Sequence, residues 1–125
     1  MSERITGIIG AMPEEINTIT ELFSDREEKM IGDRIYHTGT INGSKAVLVF
    51  SHWGKVAAAL TVTTLILEFK ITELIFTGVA GAIDPSLRVG DIVIGKRLFQ
   101  HDMDARPIIR QYEIPLLGVL SLDTS

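Results

Sequence analysis

With 125 residues, no cysteine and a formal net charge of -4, the chain is long enough to bury a core without disulfides or thiolate metal sites. Hydrophobic residues make up 46% and charged residues 22%, a globular composition that offers no basic surface for a nucleic-acid backbone. No apolar run reaches the roughly 18 residues of a bilayer span and residues 1–4 lack a secretory signal pattern, so a cytoplasmic protein with neither membrane nor nucleic-acid partner is expected.

Taken in chain order, residues 5–10 form a short β-branched run stopped by Gly10, and Met12-Pro13-Glu14-Glu15 follows with a proline and two acids suited to a first helical turn. The pattern predicts a strand feeding a helix that runs to about Phe23, where Ser24-Asp25 breaks it. Residues 29–31 and 34–41 read as strands joined at Gly32-Asp33, and Asn42-Gly43 signals a hairpin into a strand over 45–50. An antiparallel meander is therefore expected early in the chain. Residues 54–69 contain no proline and are apolar on most of the circumference, which predicts a helix buried between layers or against another subunit. Residues 74–77 form a continuous apolar run closing on Gly78-Val79-Ala80-Gly81 and read as a central strand. Residues 91–99 predict another long strand, and 114–122 a last apolar run with no closing helix after it.

This order implies an α/β domain with a mixed sheet and helices on its faces. An uncovered last strand would leave an apolar face and a pairing edge, so residues 1–125 are expected to form one domain with chain missing after it.

Ligands of open α/β sheets bind at the carboxyl ends of the strands, which directs attention to residues 10–15, 51–55 and 77–82. On a helical wheel Glu15 falls inside the arc of Ile16, Ile19, Leu22 and Phe23. A carboxylate in such a crevice can act as general base or orient a water; a first-turn acid bending out to solvent is the plainer reading, and Glu14 fits that better. The small residues of 77–82 allow a flat ring to lie close to the backbone, although small residues in a turn are more often plain packing than a ligand platform. Neither a P-loop nor a full GxGxxG is present. His52 reads as structural, Trp53 as an apolar wall, and His101-Asp102 with Asp104 as a structural group rather than a metal site.

Three segments together carry a resemblance: residues 8–15 (Ile-Ile-Gly-Ala-Met-Pro-Glu-Glu), residues 54–59 (Gly-Lys-Val-Ala-Ala-Ala) and residues 77–82 (Thr-Gly-Val-Ala-Gly-Ala), followed by Val89-Gly90-Asp91-Ile92-Val93. In order and spacing they resemble the 5'-methylthioadenosine/S-adenosylhomocysteine nucleosidases of the nucleoside phosphorylase superfamily, over about the first half of that family's domain. The resemblance implies a three-layer α/β/α fold, truncated here, no cofactor or metal, and hydrolysis of an adenine-ribose bond through an oxocarbenium-like transition state. It makes Glu15 the glutamate that activates water and sets Met12 and Trp53 against the ribose and 5'-alkylthio group. Val79, Ala80 and Gly81 then fall beside ribose and base, and Ala105 and Ile108 in the stretch reaching a partner subunit's pocket. An adenine nucleoside substrate and a homodimer formed through residues 54–69 are expected with it.

The sequence departs from the family in carrying Val79 where many members have serine and Trp53 where many have a smaller aliphatic. The family's base-protonating aspartic acid and its ribose-gripping Met-Glu pair have no counterpart, and loss of leaving-group protonation alone costs about 10²- to 10⁴-fold. At most residual activity is expected of the chain alone. Phosphorolysis is the rival, but Phe76 and Val79 stand where phosphorylases place an anion-binding arginine and serine. The other alternative is a non-catalytic fragment that dimerises through residues 54–69.

Overall fold

In the computed structural model, which describes residues 3–125, the run at the start is a strand, β1 (Ile5–Gly10), and it feeds a helix, α1 (Pro13–Thr20). The opening of the chain read for a signal pattern lies partly outside the described residues, at Met1 and Ser2. Helix α1 stops three residues short of the expected end. Glu21 caps it, and the N–H of Leu22, which lies off the helix and exposed, donates to the Ile19 carbonyl at 3.0 Å.

Three antiparallel strands follow, β2 (Ser24–Ile31), β3 (Arg34–Ile41) and β4 (Ser44–Phe50). The expected meander is present. Its second turn is the Asn42-Gly43 pair, both residues with positive φ (49° and 80°), the geometry a two-residue hairpin loop demands. Strand β2 begins five residues earlier than expected, at Ser24, with a bulge between Ser24 and Glu27.

Helix α2 (Lys55–Phe69) leads to β5 (Glu73–Thr77). The sheet order is β2-β3-β4-β1-β5, with β1 parallel to both β4 and β5. Strand β5 was expected to be central. It is instead the edge of this sheet, with Leu74, Ile75 and Phe76 exposed.

Side chains alternate across a strand, and the two helices use opposite parities. A Cβ on Gly7 would meet Ile71 and Leu65, whereas one on Gly10 would meet Ile16 of α1 at 2.6 Å. The sheet thus carries α2 on one face and α1 on the other, a mixed α/β arrangement in three layers. The core lies on the α2 face, where Ile9, Tyr36, Val47, Val49 and Leu65 pack together and the Tyr36 and Phe69 rings stack with centroids 4.9 Å apart.

Only one side of α2 enters that core. Thr61 and Leu65 are buried, while Val56, Leu60, Thr63 and Leu67 form a solvent-facing stripe at helical spacing. The helix is therefore buried on one side and exposed on the other in the single chain. Among the described residues, no helix is long and apolar enough to cross a membrane.

The chain divides into two compact units, Met1–Gly81 and Ala82–Ser125. In the second, the long strand expected over residues 91–99 is replaced by a two-residue pairing of β6 (Arg97–Leu98) with β7 (Leu122–Asp123), and the last apolar run holds one bridge, Ile114 to Val119. A strand exists only against a partner. Ile92, Val93 and Ile94 have the β-branched composition but, among the described residues, no neighbouring strand, and all three are exposed.

Candidate functional site

Three carboxyl ends arrive side by side in the first unit. The β1 register pairs Gly10 with Phe50 on one side and with Thr77 on the other, so the loops starting at Ala11, Ser51 and Gly78 leave the sheet at one level. These are the three segments that the sequence singles out. Gly10 lets α1 approach closely, since a Cβ there would come within 2.6 Å of the Ile16 Cδ1 and force that side chain to shift.

Glu15 occupies the third position of α1, and its carboxylate bends back over the turn. Oε2 accepts hydrogen bonds from the N–H groups of Ala11 and Met12, each at 3.1 Å. This satisfies donors that a helix start otherwise leaves unpaired. Among the described residues no hydrogen bond reaches Oε1, so the anchored carboxylate keeps one oxygen able to accept a proton or hold a water.

The loop after β4 is fixed to the same turn. Ser51 donates its N–H to the Gly10 carbonyl at 3.2 Å and its hydroxyl to the His52 carbonyl at 2.8 Å. His52 takes positive φ (61°), its ring stacks on Phe50 at 4.8 Å, and Nδ1 lies 3.9 Å from the Asp33 carboxylate. Gly54, at φ 95°, then opens α2. Trp53 is 75% exposed, yet its Nε1–H donates to the Ala11 carbonyl at 3.0 Å.

Beyond β5, Gly78 lies against Ala11, and Val79, Ala80 and Gly81 are exposed. Met12 is exposed as well. Beside the turn, on the α1 face, is a cavity of about 200 Å³ lined by Pro13, Ile16, Asn17, Ile35, Phe50 and His52 among others. Ala105 and Ile108 belong to the second unit, where Ala105 is half-buried and Ile108 exposed. Nearby, Arg106 donates to both carboxylate oxygens of Asp104 and holds its pKa down to about 2. Among the described residues, no cluster of three or more His, Asp or Glu could hold a metal ion.

One supporting group is absent from the sequence reading. Arg34 is buried, donating from Nε to the Thr61 hydroxyl at 2.9 Å and from its guanidinium to Asp33. Thr61 in turn donates to the carbonyls of Ala57 (2.8 Å) and Ser51 (3.3 Å), tying β3 and α2 to the loop that carries Trp53. The signal was in the alternation of β3, which sends Arg34 to the same side as Tyr36.

A model of the phosphorylase superfamily matches residues 5–122, so the chain belongs to that superfamily. Within it, the chain is 40% identical over 99 residues to the aminodeoxyfutalosine nucleosidase of Helicobacter pylori strain J99, covering 78% of this chain and 43% of that protein. It is 44% identical over 99 residues to the 5'-methylthioadenosine/S-adenosylhomocysteine nucleosidase of Halalkalibacterium halodurans, covering 79% and 43% respectively. Among solved structures, the S-adenosylhomocysteine nucleosidase of Streptococcus pyogenes in complex with 5-methylthiotubericidin superposes with a TM-score of 0.93 at 34% identity. That match covers all of this chain and 53% of the other. The chain thus spans less than half the length of the curated relatives it matches.

Proposed function

We propose that this chain carries the water-activating part of a nucleosidase that hydrolyses the N-glycosidic bond of 5'-methylthioadenosine and S-adenosylhomocysteine, releasing adenine. The observation that supports this best is Glu15, anchored through Oε2 by two backbone amides while, among the described residues, no hydrogen bond reaches Oε1. In the proposed reaction Oε1 accepts a proton from the attacking water, and the carboxylate charge stabilises the positive charge that develops on the sugar. Met12 and Trp53 flank the ribose and the 5'-substituent, and Val79, Ala80 and Gly81 flank ribose and base. The exposed backbone of 79–81 has the steric room that a flat ring needs. Water rather than phosphate is the nucleophile, because Phe76 and Val79 offer no anion ligand where a phosphorylase would need one.

The stripe of Val56, Leu60, Thr63 and Leu67 on α2 is the face through which a second copy docks, in a cytoplasmic homodimer to whose partner site Ala105 and Ile108 contribute. No cofactor takes part. The curated relatives' names favour a substrate with an adenine base, and the aminodeoxyfutalosine nucleosidases among them make that nucleoside the second substrate to assay.

The test is adenine release from 5'-methylthioadenosine by this chain joined to the carboxyl-terminal portion of the Halalkalibacterium relative, with Glu15→Gln as control. Release that falls by about 10²-fold or more in the control is expected. Release that survives the substitution, or that requires inorganic phosphate, overturns the proposal.

A further inference from the structure

We propose that Trp53 is a positioning residue that acts on Glu15 through the peptide group joining Ala11 to Met12; the role rests on reading Glu15 as the water-activating carboxylate. The indole Nε1–H donates to the oxygen of that peptide at 3.0 Å, and the N–H of the same peptide, on Met12, donates to Glu15 Oε2 at 3.1 Å. Hydrogen bonds at the two ends of one amide polarise each other. A donor on the oxygen makes the N–H a better donor, and a carboxylate on the N–H makes the oxygen a better acceptor.

The preceding peptide is wired in the same way. Ser51 donates its N–H to the Gly10 oxygen at 3.2 Å, and the N–H of that peptide, on Ala11, donates to the same Oε2 at 3.1 Å. Two parallel relays therefore run from the loop after β4 through consecutive peptides onto one carboxylate oxygen. The first is supplied by backbone and is indifferent to side-chain identity. The second exists only because residue 53 carries a ring with an N–H.

Trp53 is three-quarters exposed, so its ring is not held by a surrounding core, and its bond to Ala11 is the polar contact that fixes it over the turn. With both relays in place Oε2 is committed to the backbone. The carboxylate plane is then set, and Oε1 is the oxygen left for chemistry. A purely structural tryptophan would tie the loop to the turn without its N–H responding to the charge on Glu15.

Trp53 is the only tryptophan, so one indole N–H signal reports it in a proton-nitrogen NMR spectrum of the 125-residue chain. In Glu15→Gln the carboxylate charge at the far end of the relay is lost, and the indole proton is expected to move upfield. Glu14→Gln removes a charge one residue away with no side-chain bond to either amide, and it should leave the signal in place. In Trp53→Phe, which keeps Glu15 intact, the Met12 amide proton should move upfield and exchange faster with solvent, relative to that of Ala11, whose relay starts at Ser51. An indole that ignores Glu15→Gln, or responds equally to Glu14→Gln, overturns the relay; so do Met12 and Ala11 amides that change together in Trp53→Phe. None of these spectra needs substrate. An indole that tracks Glu15 in a protein that never releases adenine would keep the relay and defeat the hydrolase reading.

Discussion

Replacing Thr61 by valine removes one hydroxyl from a fully buried position while leaving its volume almost unchanged, and the consequence falls on Arg34. The guanidinium Nε loses its acceptor at 2.9 Å in a side chain that is only 8% exposed. Hydrogen bonds to charged groups contribute about 1.5–3 kcal/mol, and an orphaned buried donor costs its full desolvation. Thr61→Val should therefore destabilise the fold by about 2 kcal/mol. At an m-value near 2 kcal/mol per molar, that lowers the urea midpoint by about 1 M. Far-ultraviolet circular dichroism follows the unfolding. The same change in an Arg34→Met background should cost less, about 1 kcal/mol, because only the Thr61 hydroxyl's contacts to the Ala57 and Ser51 carbonyls are then lost. Equal costs in the two backgrounds would refute the assignment of the loss to the Arg34 contact.

His37 gives a pH signature. Its side chain is largely buried, and burial lowers its pKa below the ordinary 6.5, opposed by the Glu28 carboxylate 3.3 Å from Nδ1 and assisted by Arg26. Among the described residues Nδ1 is buried without a well-aligned hydrogen bond, although the Glu28 carboxylate is within reach. Between the lowered native pKa and 6.5 the unfolded chain binds more protons, so stability rises with pH in that window and is lost as pH falls through it. His37→Gln should flatten this part of a plot of urea midpoint against pH; an unchanged slope would remove His37 as its source. For the α2 stripe, Leu60→Glu with Leu67→Glu should turn a dimer into a monomer in sedimentation velocity without unfolding it, since both side chains are exposed in the single chain. A dimer that survives both changes has another interface.

The sequence was most legible where local chemistry and tertiary placement agree. Asn42-Gly43 sets its own turn, Pro13 starts α1, and β1 is apolar because it is central and covered on both faces. It was least legible where only a partner makes the element. Strand β2 is exposed along nearly its whole length, so Ser24-Asp25-Arg26-Glu27-Glu28 shows no period of two, and pairing with β3 alone makes it a strand. The reverse holds for Ile92-Val93-Ile94, which has strand composition and no pairing. Leu74, Ile75 and Phe76 read as central by apolarity yet lie at the sheet's edge.

For the site, the wheel drew attention to Glu15 by placing it in an arc with Ile16, Ile19, Leu22 and Phe23, but α1 ends at Thr20 and the last two lie off the helix. The carboxylate's attachment to the Ala11 and Met12 amides was hidden, because Met12 stands where a capping serine or threonine would advertise such a motif. Trp53 was identified as a wall, but its N–H bond to Ala11 depends on the relative rise of β1 and β4, which only the register supplies.

The two borders of the five-stranded sheet differ in what they permit. On the β2 side, Asp25, Arg26, Glu27, Glu28 and Lys29 face solvent, and charges in such a row deter another strand from pairing there. On the β5 side, Leu74, Ile75 and Phe76 put no charge in the way of a newcomer. The β5 border is therefore the more permissive of the two, offering unpaired backbone without a charged row alongside the strand that leads into residues 78–81.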